Sequence, residues 1–322
     1  MLLQTSFPIP TSPDKITQTS RVISMGSCFA ENMGTRLENL PIQVLNQPLG
    51  TIFHPCTLAR LIDFTPPIPS DCYEHQGFFN HPDFSSRFTH SSPDLLCDEI
   101  RKTQESCRIF LKQADWLILT FGTSFQYFDK HLNKSVGNCH KQASARFTKR
   151  LSGLDEMSQA MEQAIEKIKH KNPGIRVILT VSPVRHTKEG MPENALSKSL
   201  LRVLADSLCK KYAHVHYFPA YEIMLDELRD YRFYESDLIH PSKQAEDYIY
   251  QKTKESYFST ELMELDAAWQ SLAHMLEHRP HPMKIKLHQT SIQTAFSRLT
   301  KQFEGIDLSV WQAKINAKQD SI

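Results

Sequence analysis

Continuous apolar stretches alternate along this chain with stretches in which apolar residues recur every three or four positions. The first pattern is typical of buried strands and the second of amphipathic helices. The predicted strands cover 22–25, 42–45, 116–121, 176–181 and 215–218, and the predicted helices 29–40, 57–64, 93–113, 154–170, 196–208 and 221–228. For the helix at 196–208, Asn194 is the expected N-cap, and Leu196, Leu200, Leu204 and Leu208 lie on one face. Repeated strand–helix alternation predicts an α/β fold, with a parallel sheet covered on both faces and its site at the carboxyl ends of the strands.

The first strand leads into the first helix through Gly26-Ser27-Cys28. A glycine-led turn at this position places two nucleophile-capable side chains beside backbone N–H groups that the start of a helix leaves unpaired. An anion can form at such a place. Cys28 or Ser27 is therefore a candidate nucleophile, and the competing interpretation of Cys28 is a small buried apolar residue.

Other segments fall outside the strand–helix pattern. Residues 65–93 are expected to form an excursion, a long loop outside the core units, with short strands near Tyr73 and Phe78. Residues 125–139 are expected to form a hairpin. From Gln244 the pattern is helical nearly to the end, with a break at 278–283. The predicted organisation is a domain at 1–258 followed by a helical C-terminal extension at 259–322.

Composition excludes several classes of protein. The 322 residues contain 37 Lys and Arg against 36 Asp and Glu, a formal charge of +1, so we expect neither nucleic acid nor a membrane surface as a partner. The seven cysteines are scattered without a Cys-x-x-Cys pair, which argues against disulfides and structural zinc. With no signal-peptide pattern and no long apolar run, a cytoplasmic protein with reduced thiols is expected.

A second chemical motif is Asp237-Leu238-Ile239-His240-Pro241-Ser242. An Asp three residues before a His can lie on the same face of one helical turn, where its carboxylate holds Nδ1 and leaves Nε2 as a general base. Ser242 can cap the helix that follows. Alone, the Asp-x-x-His spacing is more often a surface capping arrangement than a catalytic pair, but a nucleophile turn gives it weight.

Several stretches together resemble one known family. They are Gly26–Ala30, Pro48–Thr51, Phe121–Thr123, Asn138–Lys141, Ser182–His186, Tyr217–Glu222, Leu228–Tyr234 and His240-Pro241. Over roughly residues 1–255 the chain resembles the GSCFA family, a branch related to the SGNH (GDSL-like) hydrolases. The resemblance implies a flavodoxin-like three-layer α/β/α fold with a parallel sheet and a nucleophile-His-Asp catalytic triad. It implies no established substrate.

The resemblance also implies roles for individual residues. Cys28 stands where the related hydrolases carry their serine, with Ser27 as the second choice, and His240 and Asp237 complete the triad. A thiol at a helix N-terminus near a histidine is expected to have a lowered pKa. The backbone N–H of Gly50 is the expected oxyanion donor, whereas Ser124 occupies the position of the usual asparagine. Loss of one oxyanion donor reduces the rate by about 10²- to 10³-fold.

Further candidates lie where predicted strands end. Gly26 and Gly122 border the predicted site, and Arg185, His186 and His140 are candidate substrate-binding residues whose competing interpretation is a solvated loop. His214 and His216 alternate on a predicted strand, which favours an exposed strand face over a metal site. No metal or cofactor is expected.

The sequence therefore predicts an SGNH-like hydrolase or acyltransferase, esterase-like, acting on an ester-type acyl group of a small-molecule or glycan substrate. One alternative is a non-catalytic ligand-binding module on the same fold, favoured by replacement of both the serine and the asparagine. Another is a thiol-dependent amide or thioester hydrolase. The amphipathic C-terminal helices make a homo-oligomer conceivable.

Overall fold

A parallel sheet of five strands forms the centre of the protein, which a computed structural model describes over residues 5–319. Its strands are β1 (Arg21–Gly26), β2 (Gln43–Asn46), β5 (Trp116–Phe121), β9 (Arg176–Val181) and β10 (Val215–Tyr217), in the spatial order β10-β9-β5-β1-β2. Numbered within this sheet, the order is 2-1-3-4-5, the flavodoxin-like arrangement. The predicted fold class is confirmed.

The remaining strands belong to two small antiparallel sheets. They are β3 (Tyr73–His75), β4 (Phe78–Asn80), β6 (Phe125–Asp129), β7 (Lys134–Val136) and β8 (Phe147–Leu151). The predicted excursion strands and the hairpin β6–β7 are present. The sequence prediction missed β8, which pairs with the other edge of β6 to make a three-stranded sheet.

Helices cover both faces of the central sheet. They are α1 (Cys28–Leu37), α2 (Pro55–Ile62), α3 (Pro93–Leu111), α4 (Leu154–Lys171), α5 (Met191–Lys211), α6 (Ala220–Glu222), α7 (Lys243–Tyr257), α8 (Thr260–Glu277), α9 (Ile285–Gln302) and α10 (Ser309–Gln319). Within the described residues, no helix is both long and apolar enough to cross a bilayer.

Alternation along the strands divides the core in two. Leu117 and Leu119 of β5 pack with α2 to α5, whereas Trp116 and Ile118 pack with α1, α7, α8 and α10. Successive side chains of a strand point to opposite faces, so strands that are apolar throughout are covered on both sides. The result is a three-layer α/β/α architecture with a helical C-terminal region.

Helix α5 departs from its prediction in two ways. It begins at Met191, and Asn194 does not cap it, because the Asn194 side chain accepts a hydrogen bond from the backbone N–H of His186. The buried face is also different from the predicted face at Leu196, which is exposed. Its buried residues are Asn194, Ser197, Lys198, Leu201, Leu204, Ala205 and Leu208.

The predicted C-terminal extension packs on the α1–α7 face. Its helices share one hydrophobic core with the strands: Leu265 and Trp311 belong to the same cluster as Val22 and Trp116. The indole N–H of Trp311 also donates to the carbonyl of Asn39, at 2.7 Å. Residues 1–4 and 320–322 of the two predicted segments lie outside the described residues.

Candidate active site

Gly26 ends β1 in a conformation that requires glycine. Its φ is +138°, and a Cβ at this position would collide with the backbone of Thr120 in the neighbouring strand. The N–H of Ser27 then donates to the carbonyl of Thr120, at 3.1 Å. This close approach turns the chain sharply out of the sheet, so that Cys28 becomes the first residue of α1.

The side chain of Gln47 fixes this turn from the end of β2. Its Oε1 accepts the N–H of Gly26 at 3.1 Å, and its Nε2 donates to the carbonyls of Gly26 and Ser27, each at 2.9 Å. Gln47 is buried and has a positive φ of 45°. The nucleophile turn is therefore held by a side chain that the sequence prediction did not include.

The two candidate nucleophiles differ in accessibility. Ser27 is 0% exposed, and its Oγ has no hydrogen-bond partner among the described residues. Cys28 is partly exposed and lines an open groove of about 1100 Å³ between α1, α7 and α8. Of the two candidates, Cys28 is therefore the one that borders a groove.

Burial raises the pKa of the Cys28 thiol, contrary to the lowered value expected from the sequence. The backbone N–H groups of Phe29 and Cys28 and the ammonium of Lys198 act in the opposite direction, and the carboxylate of Glu31 adds to the rise. The helix N-terminus does favour the thiolate, as expected. Removal from solvent is the larger effect.

Asp237 and His240 form a hydrogen-bonded pair. The Nδ1–H of His240 donates to Oδ2 of Asp237 at 2.6 Å, while Oδ1 of Asp237 accepts the N–H groups of Ile239 and His240. These hydrogen bonds lower the pKa of Asp237 to about 2, and the bond from the His240 side chain has the largest effect. The carboxylate is thus ionised at neutral pH, and Nε2 of His240 is left for proton transfer.

A turn, rather than the expected helical turn, brings this pair together. Leu238 has a φ of +58°, which reverses the chain between the two partners. Ser242 accepts the N–H of Ala245 and caps α7, as predicted. The carboxylate and the imidazole are both about half exposed, so solvent and substrate have access to them.

Contacts between α1 and α7 place their N-termini at one end of the molecule. Asn32 donates to Glu246 at 2.7 Å, and Arg36 pairs with Asp247 at 2.7 Å. Both contacts are one to two turns beyond the helix starts, so the helices run in the same direction. Cys28 begins α1 and His240 immediately precedes the cap of α7.

Glu235 connects the histidine loop to the groove of Cys28. Its N–H donates to the carbonyl of His240 at 2.8 Å, and Glu235 and Cys28 both line the groove. The histidine loop is thus connected through Glu235 to the groove that Cys28 lines along α1 and α7.

Arg185 supports the loop that carries the pair. Its backbone N–H donates to the carbonyl of Ile239 at 3.2 Å, its Nη1 donates to the carbonyl of Leu238 at 3.1 Å, and its guanidinium stacks 3.8 Å from the ring centre of Tyr234. The sequence prediction assigned Arg185 to substrate. In the structure its donors hold the Asp237–His240 loop.

His186 is held neutral at the edge of the sheet. Burial, and then the positive charge of Lys198, lower its pKa to about 3, and its Nε2 is buried with no hydrogen-bond partner among the described residues. It lines a cavity of about 430 Å³ together with Phe53, Thr123 and Ile239. This second cavity lies beside the histidine loop and could hold part of a substrate.

The predicted oxyanion donors are occupied by other contacts. The N–H of Gly50 donates to the carbonyl of Gln47 at 2.9 Å. Ser124 is fully buried, and its hydroxyl donates to the carbonyl of Ser197 at 2.8 Å. Neither group is available to an oxyanion in this conformation. The N–H groups at the start of α1, which approach the Cys28 sulfur, remain as candidate donors.

The predicted residues Gly122 and His140 lie in different places. Gly122 is at the site, where its N–H donates to Phe53 and its carbonyl accepts the ammonium of Lys198. His140 lies beside the excursion, where its Nε2–H donates to the carbonyl of His81 at 2.9 Å and its ring packs on Tyr73. Its contacts are those of a residue that stabilises this region.

Lys198 is the second functional candidate that the sequence prediction missed. It is 1% exposed, and its Nζ donates to the carbonyls of Gly122 and Ser182. The available signal was helical spacing: Lys198 is three residues before Leu201 and ten before Leu208, which places it on the buried face. Among the described residues, no group of three or more His, Cys, Asp or Glu side chains could hold a metal ion.

The sheet order and the two helical layers define a flavodoxin-like α/β protein that carries a hydrogen-bonded Asp–His pair. The chain belongs to the GSCFA family, whose model matches residues 21–253. No curated protein matches the sequence. Among solved structures it is similar to an acetyl xylan esterase, Est2A, from the rumen bacterium Butyrivibrio proteoclasticus, at 10% identity and a TM-score of 0.36, covering 84% of this chain and 66% of the esterase.

Proposed function

We propose that the protein is a hydrolase or acyltransferase that acts on an ester-type acyl group through Cys28, His240 and Asp237. The observation that carries the proposal is the 2.6 Å hydrogen bond between Asp237 and Nδ1 of His240, at the end of the molecule where Cys28 begins α1. A nucleophile, a base and a group that orients the base are the minimum that acyl transfer requires.

In the proposed reaction, Cys28 transfers its proton to Nε2 of His240 and attacks the ester carbonyl. Collapse of the tetrahedral intermediate releases the alcohol, which takes the proton from His240, and leaves a thioester on Cys28. Water or an acceptor hydroxyl, deprotonated by His240, then releases the acyl group and restores the thiol. Asp237 holds the imidazole tautomer, and N–H groups at the start of α1 bind the oxyanion. A reduced Cys28 fits a cytoplasmic protein.

The proposal is tested with a p-nitrophenyl ester and four variants. We expect Cys28→Ala to abolish turnover and the acyl-enzyme seen by mass spectrometry, and His240→Ala to reduce turnover by about 10²- to 10⁴-fold. Cys209→Ala, at another partly exposed cysteine, is the matched control and keeps the activity. Loss of turnover in Ser27→Ala with retention in Cys28→Ala would assign the reaction to the serine.

A second candidate function is a ligand-binding module without turnover. The occupied N–H of Gly50 and hydroxyl of Ser124 favour it, because both groups are already bonded within the protein. In that case the ester is not hydrolysed, and Cys28→Ala and His240→Ala leave any background rate unchanged. Parallel assays with a thioester and an anilide show whether a different leaving group is preferred.

A further inference from the structure

A lysine is buried beneath the turn that carries the candidate nucleophile. Lys198 projects from α5 towards the carboxyl ends of β5 and β9, where its Nζ donates to the carbonyls of Gly122 and Ser182, each at 2.7 Å. Both carbonyls directly follow their strands. The ammonium is therefore located at the edge of the sheet where the candidate active site lies, and on its buried side.

The strand register places this ammonium at the same end of the sheet as the turn that carries Cys28. Gly26 of β1 is paired with Thr120 of β5, and the N–H of Ser27 donates to the Thr120 carbonyl. Cys28 is two residues beyond Gly26, and Gly122 is two residues beyond Thr120. The carbonyl of Gly122 accepts a hydrogen bond from Lys198. The Lys198 charge also lowers the pKa of the Cys28 thiol, against the burial that raises it.

No carboxylate in the described part of the chain forms an ion pair with Lys198. Two carbonyl oxygens and the face of Tyr221, 5.9 Å away, surround it. Lysines are almost never fully buried unless they are paired, since removing an ammonium from water is costly. Burial lowers the pKa of Lys198 to about 7, and a thiolate at Cys28 acts to raise it. Cys28 is thus the group able to supply the missing negative charge.

Other charged groups face Cys28 from different elements. Glu31 of α1 raises the pKa of the thiol, and Glu235 and Lys243 lie across the groove. Glu31 opposes the thiolate, and Lys243 is on the solvent side. Lys198, by contrast, is fully buried and lowers the pKa of the thiol.

We propose that the ammonium of Lys198 is the counterion of the Cys28 thiolate. When the S–H bond breaks, the proton passes to Nε2 of His240 and the electron pair stays on sulfur, while Lys198 keeps its own proton. Lys198 acts through Cys28 and touches no substrate, so it is a positioning residue. The use of the thiolate in acyl transfer rests on the proposed function, but the ion pair can be tested without it.

The first test is the pH dependence of alkylation of Cys28 by iodoacetamide, read at the Cys28 peptide by mass spectrometry. We expect Lys198→Met to move the midpoint upward by about one pH unit, which lowers the rate about tenfold at any pH below it. Lys254→Met is the matched control, since Lys254 is also buried but is paired with Asp266. An unchanged midpoint in Lys198→Met overturns the proposal.

The second test keeps Lys198 in place and covers the case in which Lys198→Met does not fold. Coupling between two charges is reciprocal, so loss of the thiolate must lower the pKa of Lys198. In protein labelled with ¹⁵N-lysine, we expect the Nζ titration of Lys198 to move to lower pH in Cys28→Ser. An identical titration in both proteins overturns the ion pair.

Failure of this inference is distinguishable from failure of the proposed function. A shifted alkylation midpoint without ester turnover would support the ion pair and contradict the proposed hydrolase function. Ester turnover that depends on Cys28, together with an unchanged alkylation midpoint in Lys198→Met, would support the hydrolase function and contradict the ion pair.

Discussion

Gln47 shows how one side chain determines the geometry of the candidate nucleophile. It bonds both backbone groups of Gly26 and the carbonyl of Ser27. The carbonyls keep other partners, namely the N–H groups of Ile52 and Ala30. The N–H of Gly26 donates to Gln47, so this donor is the group that a substitution of Gln47 would leave buried and unpaired.

We therefore expect Gln47→Met to lower the free energy of unfolding by about 1–3 kcal/mol, the cost of a buried unpaired backbone donor. It should also slow alkylation of Cys28 several-fold, because the turn that aims N–H groups at the sulfur is released. Gln104→Met is the control: Gln104 is likewise buried, but its Nε2 donates to Thr65, away from the site. Equal rates of Cys28 alkylation in the two variants would contradict the conclusion that Gln47 holds the turn before Cys28.

Gln47 and Lys198 were missed in the sequence because the contacts that define their environment are tertiary. A glutamine after a short strand is typical of a turn, and a lysine within a helix is typical of a solvated face. By contrast, the Asp237–His240 contact was predicted because both partners lie within one local motif. Local spacing identified the candidate base. Gln47, which follows β2, and Lys198 of α5 are distant in sequence from Cys28, so only the folded structure shows that they belong to the candidate site.

At the scale of elements, the start of α2 and the neighbouring turn each depend on a neutral histidine. Nδ1 of His54 accepts the N–H of Cys56 and caps α2, and Nδ1 of His81 accepts the N–H of Asp83. Burial lowers the pKa of both imidazoles to about 4. Protonation of either Nδ1 removes an acceptor, so these contacts exist only while the rings are neutral.

We expect the free energy of unfolding to fall as pH falls from about 6.5 towards about 4. In this window the unfolded chain binds protons on His54 and His81 that the folded chain does not bind, at about 1.4 kcal/mol per pH unit for each histidine. Urea unfolding at a series of pH values measures the slope. Asparagine keeps a capping acceptor without titrating, so His54→Asn with His81→Asn should flatten this part of the profile. A slope unchanged by both substitutions would show that other groups cause it.

Strands and helices were predicted best where the apolar pattern of the segment itself was sufficient to define them. Strand β5 has the predicted bounds, Trp116–Phe121, because five of its six residues are apolar and Gly122 follows directly. Strand β8 was missed, since its alternation of Phe147 and Leu151 with charged residues is weak without β6 beside it. In α5, the leucine spacing indicated a buried face that includes Leu196, whereas packing against the sheet buries the face that contains Lys198.

At the scale of the whole molecule, the C-terminal helices complete the core beneath α1. Trp311 is fully buried, stacks on Trp269 with ring centres 5.7 Å apart and donates to the carbonyl of Asn39, at the end of α1. The sequence divided the chain at residue 258, on the change from alternating to purely helical pattern. Shared packing across that position predicts that the two parts unfold together.

We expect Trp311→Ala to destabilise the whole protein by about 3–5 kcal/mol, because truncating a buried aromatic side chain leaves a cavity between α10 and α1. Calorimetry should show one transition at a lower temperature, with loss of the sheet and of the extension at the same point. Trp311→Phe retains most of the packing, loses the bond to Asn39 and should have a smaller effect. If the extension melts first while protection of the Cys28 thiol persists, the helices after residue 258 form an independent unit, and their packing on α1 does not support the candidate site.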